Sequence, residues 1–309
     1  MSRQDIRQDV TDRVIAALEK GGLAEWTRPW AKAAGIGGAM PWNFSTGKTY
    51  QGVNVVMLFM EAIDRNYSSN AWLTFNQAKA LGGKVRKGES GTAIVSFRLM
   101  EKPSKAPDAG ADDTVMVPFA RQFFVFNVDQ CEGLDLGAMM PRPILDTDGK
   151  LALVEALGQR LCKETGMRFQ RVGDRACYSP SLDLLKMPAG EWASVEDYSA
   201  TLAHELVHAT GAPHRLNRRE GIYKRFEDSR QAYAMEELCA ELGAAMVCAE
   251  FGIVGENLQH ESYIASWLEA LKNDKTYIFK AAALASEAHR YMMGEVIEAK
   301  TDLSVDEAA

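Results

Sequence analysis

The sequence predicts a two-domain α+β protein, with an α+β module over residues 1–145 and a mainly helical domain over residues 146–309. Three observations point to this division. The chain has 309 residues, enough to bury two cores. Charge is spread unevenly, with 14 Lys and Arg against 9 Asp and Glu in residues 1–102, but 17 against 25 in residues 151–309. The hydrophobic period also changes: two β-like runs lie in the first half, and helical spacing prevails after Leu151.

Taken in order, Ile6, Val10, Val14, Ala17 and Leu18 recur at helical spacing, which predicts a helix over 3–20 ended by Gly21-Gly22. Residues 35–48 are rich in Gly, Pro and Asn and read as loop. A second helix is expected over Val53–Asn66 and a short third over Thr74–Leu81, closed by Gly82-Gly83. Thr92–Leu99 and the run ARQFFVFNV within 115–128 read as strands, separated by the polar segment KPSKAPDAGADD. Residues 131–149 have linker character, placing the boundary near 145. A β-like segment at 168–178 then leads into long helices over 194–211, 230–251, 260–272 and 274–294.

Composition narrows the class. With 47% hydrophobic and 25% charged residues, the profile is that of a folded globular chain. No apolar run reaches the roughly 18 to 20 residues needed to cross a bilayer. The start, MSRQDIRQDVTDRV, lacks the apolar stretch of a secretory signal. Five cysteines, none in a CxxC, argue against a disulfide framework or a cysteine-only zinc site. A cytoplasmic protein with reduced, mostly buried thiols and no membrane partner is expected.

The strongest chemical signal is His204-Glu205-Leu206-Val207-His208. On a helix, positions i and i+4 share one face, so His204 and His208 can hold one tetrahedral Zn²⁺. Glu205 lies one residue on, where its carboxylate can take a proton from an activated water as general base. Two residues compete as third ligand. His214 completes HELVHATGAPH, which fits HExxHxxGxxH. Glu237 lies on the helix YAMEELCAEL, whose ExxAE pair matches the gluzincin arrangement, in which Glu237 binds metal and Glu241 steadies a ligand histidine from its other ring nitrogen. Glu237 is favoured, because its helix is apolar on one face and a buried carboxylate demands a partner. Glu236 is the register-shifted alternative and is expected to face solvent. Three protein ligands and one open position would suit hydrolysis of an amide, with Tyr178, Tyr223 or His214 as candidate oxyanion donors. Zinc fits a His/His/Glu set, and Mn²⁺ can occupy similar sites.

The basic first module sets aromatics beside cations and amides, the mixture that single-stranded nucleic acid requires. Trp30, Lys48, Tyr50, Asn54, Trp72, Lys84, Arg86 and Lys87 are the candidate contacts. Trp72 and Phe75 also sit on an apolar segment, a setting typical of core residues.

Several longer pieces carry a family resemblance. They include Pro41-Trp42-Asn43, Thr46-Gly47-Lys48 with Tyr50-Gln51-Gly52-Val53-Asn54, Trp72-Leu73-Thr74-Phe75 with Gln77-Ala78, and Gly82 through Glu89. Further on come Tyr178-Ser179-Pro180 with Asp183, Lys186-Met187-Pro188, His204 through Gly211, Arg215-Leu216-Asn217-Arg218, and Glu236-Glu237-Leu238 with Ala240-Glu241-Leu242. Together these resemble the ArdC-type antirestriction proteins of conjugative plasmids over nearly the whole chain. The N-terminal part also resembles the front of some plasmid primases. The resemblance implies a single-stranded DNA-binding domain joined to a zincin-like metallopeptidase domain, with Glu237 as third ligand. It further implies protection of incoming plasmid DNA from host restriction. An unknown host protein is the expected substrate of the peptidase-type site; the alternatives are a single-stranded DNA-binding protein with a non-catalytic metal site, or a stand-alone metalloprotease.

Overall fold

A four-stranded sheet organises the first half of the chain in a computed structural model that describes residues 7–20, 40–103, 114–138, 147–226, 228–253 and 264–295. A helix over 7–20 (α1) comes first, burying Val10, Val14 and Leu18 along one stripe. Then follow β1 (Trp42–Asn43), α2 (Val53–Asp64), β2 (Ala71–Leu73), α3 (Phe75–Ala80), β3 (Lys84–Val85), β4 (Thr92–Pro103), β5 (Thr114–Asn127) and β6 (Cys131–Glu132). The sheet order is β1-β2-β5-β4; β1 lies parallel to β2 and the other pairs are antiparallel. β3 and β6 form a separate two-stranded ribbon.

Strand alternation sorts these residues by face. Trp72, Ile94 and Val125 pack on Leu58 and Ala62 of α2, whereas Ala71 and Leu73 pack on Ala78 of α3. Thr74 caps α3 through its side chain, and Gln77 returns the bond to the Thr74 N–H at 2.8 Å, so the chain turns directly from strand to helix. At the other end Gly82, at φ 80°, takes the left-handed conformation that stops the helix.

The second half contains α4 (Thr147–Thr165), β7 (Arg168–Arg171), β8 (Cys177–Ser179), β9 (Leu184–Met187), α5 (Val195–Thr210), α6 (Arg218–Arg225), α7 (Ser229–Phe251), α8 (Ile264–Asn273) and α9 (Tyr277–Met292). β9 lies between β7 (parallel) and β8 (antiparallel). The Ser194 side chain caps α5, with Glu196 and Asp197 in its first turn where the helix dipole favours acids. α5 and α7 cross closely because position 243 is glycine. A Cβ there would lie 2.8 Å from Val207 Cγ2 in a packed interior.

The largest core is continuous across both halves. Val10, Val14, Val53, Val56 and Phe59 join Leu206, Leu242, Ile278 and Phe279 in one buried cluster. Polar links reinforce it: the Gly52 N–H donates to Ser286 Oγ at 2.7 Å, and Thr11 Oγ1 donates to the Lys275 carbonyl at 3.0 Å.

The α+β expectation matches this architecture, with differences at short elements. β6 lies inside the segment read as linker, and β9 and α6 were not anticipated. α6, RREGIYKR, is too charged to show an apolar stripe; its buried residues are Arg218 and Ile222. Residues 3–6, Gly21-Gly22, 35–39, 104–113 and 260–263 lie outside the described residues. All five cysteines are free thiols; Cys239 and Cys248 are buried, Cys131 and Cys162 are half-buried and Cys177 is exposed, so fewer are buried than expected. Among the described residues, no helix is long and apolar enough to cross a membrane.

Candidate metal centre

α5 and α7 together build the site. His204 and His208 stand one turn apart on α5, and Glu237 faces them from α7, with one donor atom from each within 4.8 Å of the others. The two Nε2 atoms are 3.1 Å apart, and the Glu237 oxygens lie 3.5 Å from each. Ligands about 2.1 Å from a tetrahedral centre are separated by about 3.4 Å, so these three edges suit one small divalent ion. The donor set, two imidazoles and one carboxylate, is also of the right chemistry. All three residues are buried.

A second ring of groups orients these donors. Glu241 Oε1 lies 3.6 Å from His204 Nδ1, as the ExxAE spacing predicts. On the other imidazole, His208 Nδ1 lies 3.1 Å from Glu236 Oε1. Glu236 in turn receives the Arg218 guanidinium, Nε at 3.0 Å and Nη2 at 2.8 Å. Arg218 also donates to the Val207 carbonyl at 2.8 Å and to Thr210 Oγ1 at 3.0 Å, so it fastens the last turn of α5.

Electrostatics follow from this packing. Burial raises Glu241 to about 7. Burial works against an ionised Glu236, but Arg218 and His208 prevail and hold it down at about 2. Glu237 is likewise held far below the usual carboxylate range, against its burial, by His204 and His208. Burial depresses His208, yet Glu236 and Glu237 outweigh it and raise the ring to about 10. An ionised Glu237 is the form a cation requires.

Glu205 is set apart from the donor group. Its Oε2 accepts the Tyr178 backbone N–H of β8 at 2.6 Å, which turns the carboxylate toward the sheet edge. The Tyr178 hydroxyl donates to Asp183 at 2.7 Å, and Arg215 donates to the same oxygen at 3.0 Å and 2.5 Å. His214 Nε2 lies 3.3 Å from the other Asp183 oxygen with its side chain half exposed, so the structure pairs it with Asp183 and outside the three-donor group. Tyr223 is exposed on α6.

One expectation about this region is overturned. Glu236 does not face solvent: it is fully buried, because α7 is buried at every position from Ala234 to Ala249. Arg218 is equally buried as its partner. The signal was present in the sequence, since two adjacent acids in an otherwise apolar helix require two sets of partners.

The candidate DNA contacts divide differently. Lys48 and Lys87 are exposed; Lys84 is exposed but pairs with Glu132 at 3.0 Å, and Arg86 pairs with Glu89 at 2.8 Å. Tyr50 is half-buried, with its hydroxyl accepting from Asn43 Nδ2 at 3.2 Å. Two assignments need correction. Trp72 is fully buried against Tyr67 in an edge-on contact, so its ring is core and offers no face to a base. Asn54 spends its amide on β4, donating to the Val95 carbonyl at 2.7 Å and accepting its N–H at 2.8 Å. Trp30 lies outside the described residues.

Comparison with known proteins covers nearly the whole chain. Residues 156–284 match the zincin-like metallopeptidase family MPTase-PolyVal, and residues 4–126 match the N-terminal domain of anti-restriction factor ArdC. The uncharacterized protein y4eC of Sinorhizobium fredii (strain NBRC 101917 / NGR234) is 36% identical over 96% of this chain and 94% of its own length. Two Escherichia coli proteins named DNA primase TraC are each 33% identical over 94% of this chain, which spans only 20% and 27% of their lengths. The antirestriction ArdC protein from plasmid R388 is similar in its metal-free crystal structure, with TM-score 0.76 and 38% identity over 94% of this chain and 97% of that one. Its Mn(II)-bound structure gives a TM-score of 0.72 at 39% identity, with the same coverage. The zincin-like fold and the three-donor group together support divalent metal binding here.

Proposed function

Because the chain belongs to the ArdC antirestriction family, we propose that it protects incoming plasmid DNA during conjugation, binding single strands through its first module while a zinc-dependent peptidase-type site acts on a host protein. The placement of Glu205 carries the enzymatic half. A purely structural site needs no base, yet Glu205 follows His204 directly on α5 and is buried, with its Oε2 fixed by the Tyr178 N–H at 2.6 Å. His204, His208 and Glu237 would hold the ion, which when bound supplies Lewis acidity toward a carbonyl and makes water a better nucleophile. Glu205 takes the proton of the attacking water as the C–O bond forms, then delivers it to the amine nitrogen as the C–N bond breaks. With Oε2 engaged by the Tyr178 N–H, Oε1 would make both transfers.

Quenched fluorescent casein is a suitable first probe. The zinc-loaded wild-type chain should cleave it, and Glu205→Gln should retain metal while losing at least about 100-fold in rate. Equal rates for the two proteins would remove Glu205 from the mechanism. A metal-loaded wild type inert toward protein substrates would favour a binding protein with a non-catalytic ion.

The surplus of cations in residues 1–102 supports the DNA-binding half. Replacing Lys48, Arg86 and Lys87 together by alanine should weaken oligo(dT) binding and flatten its log–log salt dependence by about 2. An unchanged slope in a salt-titrated anisotropy assay would take these three residues out of the contact surface.

A further inference from the structure

Two large apolar side chains on the first module are turned into solvent: Phe75 and Phe124 are each 55% exposed. They belong to one patch. Phe124 and Phe126 are two residues apart on β5 and share a face of the strand. Phe75, at the start of α3, meets the Phe126 ring edge-on at a centroid distance of 6.5 Å. Gly91 lets the neighbouring loop lie flat against the pair, since a Cβ there would stand 3.1 Å from both Phe124 Cβ and the Phe126 ring.

Cations border this aromatic surface. Lys79 is one turn along α3 from Phe75 and exposed. The loop that ends at Gly91 carries Arg86 and Lys87. Asn43 joins the turn bearing Lys48 to α3, donating from Nδ2 to Gln77 Oε1 at 3.1 Å while its Oδ1 accepts the Thr46 N–H at 3.0 Å. The nearby acids Glu89 and Glu132 are engaged, Glu89 by Arg86 and by Gln130 Nε2 at 3.0 Å and Glu132 by Lys84 at 3.0 Å. Among the described residues, Lys48, Lys79 and Lys87 make no ion pair, which leaves the border net positive.

Exposed rings on a rigid strand and helix, edged by unpaired cations, are what unpaired bases with their phosphates require. We propose that Phe75, Phe124 and Phe126 are the base-stacking platform for single-stranded DNA, with Lys48, Lys79 and Lys87 meeting the backbone. The assignment rests on the single-strand reading above and relocates its aromatic contacts from Trp72 to Phe75 and β5.

The test is fluorescence anisotropy of the full-length chain with a fluorescein-labelled dodecamer of thymidine. Phe75→Ala and Phe124→Ala should each weaken binding by about 10-fold, and the double variant by about 100-fold. Phe124→Leu, which keeps an apolar side chain but no ring, should lose nearly as much as Phe124→Ala. Thermal melting that matches wild type would show the fold intact. Wild-type binding with the Phe variants within twofold of it would overturn the platform and leave the single-strand reading standing, with the patch then suited to a protein partner. No binding by wild type would overturn both.

Discussion

Glu237→Ala is expected to release the metal ion. The side chain supplies the carboxylate oxygens 3.5 Å from both ligand nitrogens, and no described residue of α7 stands ready to replace it. The neighbouring acids are committed to the far nitrogens of the same two rings, Glu241 toward His204 and Glu236 toward His208. Loss of an outer partner such as Glu241 typically lowers metal affinity about 10- to 100-fold. Loss of a direct ligand should exceed that range, leaving less than stoichiometric metal after gel filtration with a mild chelator. Elemental analysis reads the result directly. Full retention by Glu237→Ala alongside loss in His204→Ala would mean that the third donor comes from elsewhere in the chain.

The second large effect is on stability. Arg218 and Glu236 form a two-pronged ion pair with both side chains essentially inaccessible to water. Removing the cation strands a buried carboxylate, which costs about 3–5 kcal/mol when no other group can compensate. Arg218→Met should therefore unfold at markedly lower urea concentration than wild type. Arg218→Met with Glu236→Gln removes both charges and should recover much of the loss. Because Glu236 also fixes the His208 ring, the single variant should bind zinc about 10- to 100-fold more weakly even where it remains folded. A change below about 1 kcal/mol in Arg218→Met would show that the pair is not what holds α5 to α6 and α7.

The site was legible in sequence wherever a regular period carried it. HExxH fixes His204 and His208 on one face of α5, and the three residues between Glu237 and Glu241 do the same on α7. Glu236 was misread because helical periodicity presumes one solvent face, and α7 has almost none between Ala232 and Ala249. Arg218 was missed for the converse reason: a helix as charged as α6 gives no sign that its arginine is turned inward. The Tyr178 N–H that aims Glu205 is a backbone group, invisible to any reading of side-chain types. Trp72 and Phe75 show the limit at short range. Both lie in the same apolar run, but β2 is covered on both faces whereas α3 begins at the surface, and only tertiary structure separates them.

The shared interior has a consequence for how this protein can be rearranged. Val53, Val56 and Phe59 of α2 are buried among Ile278, Phe279 and other residues of the second half, and Gly52 is bonded to Ser286. A cut in the connecting segment would leave a wet, apolar scar on each fragment, which costs solubility as well as stability. Splicing the first half onto a different enzyme, or the zincin-like half onto a different N-terminal domain, would demand a new partner surface for the exposed helix. The portable unit, for recombination as for cloning, is the pair.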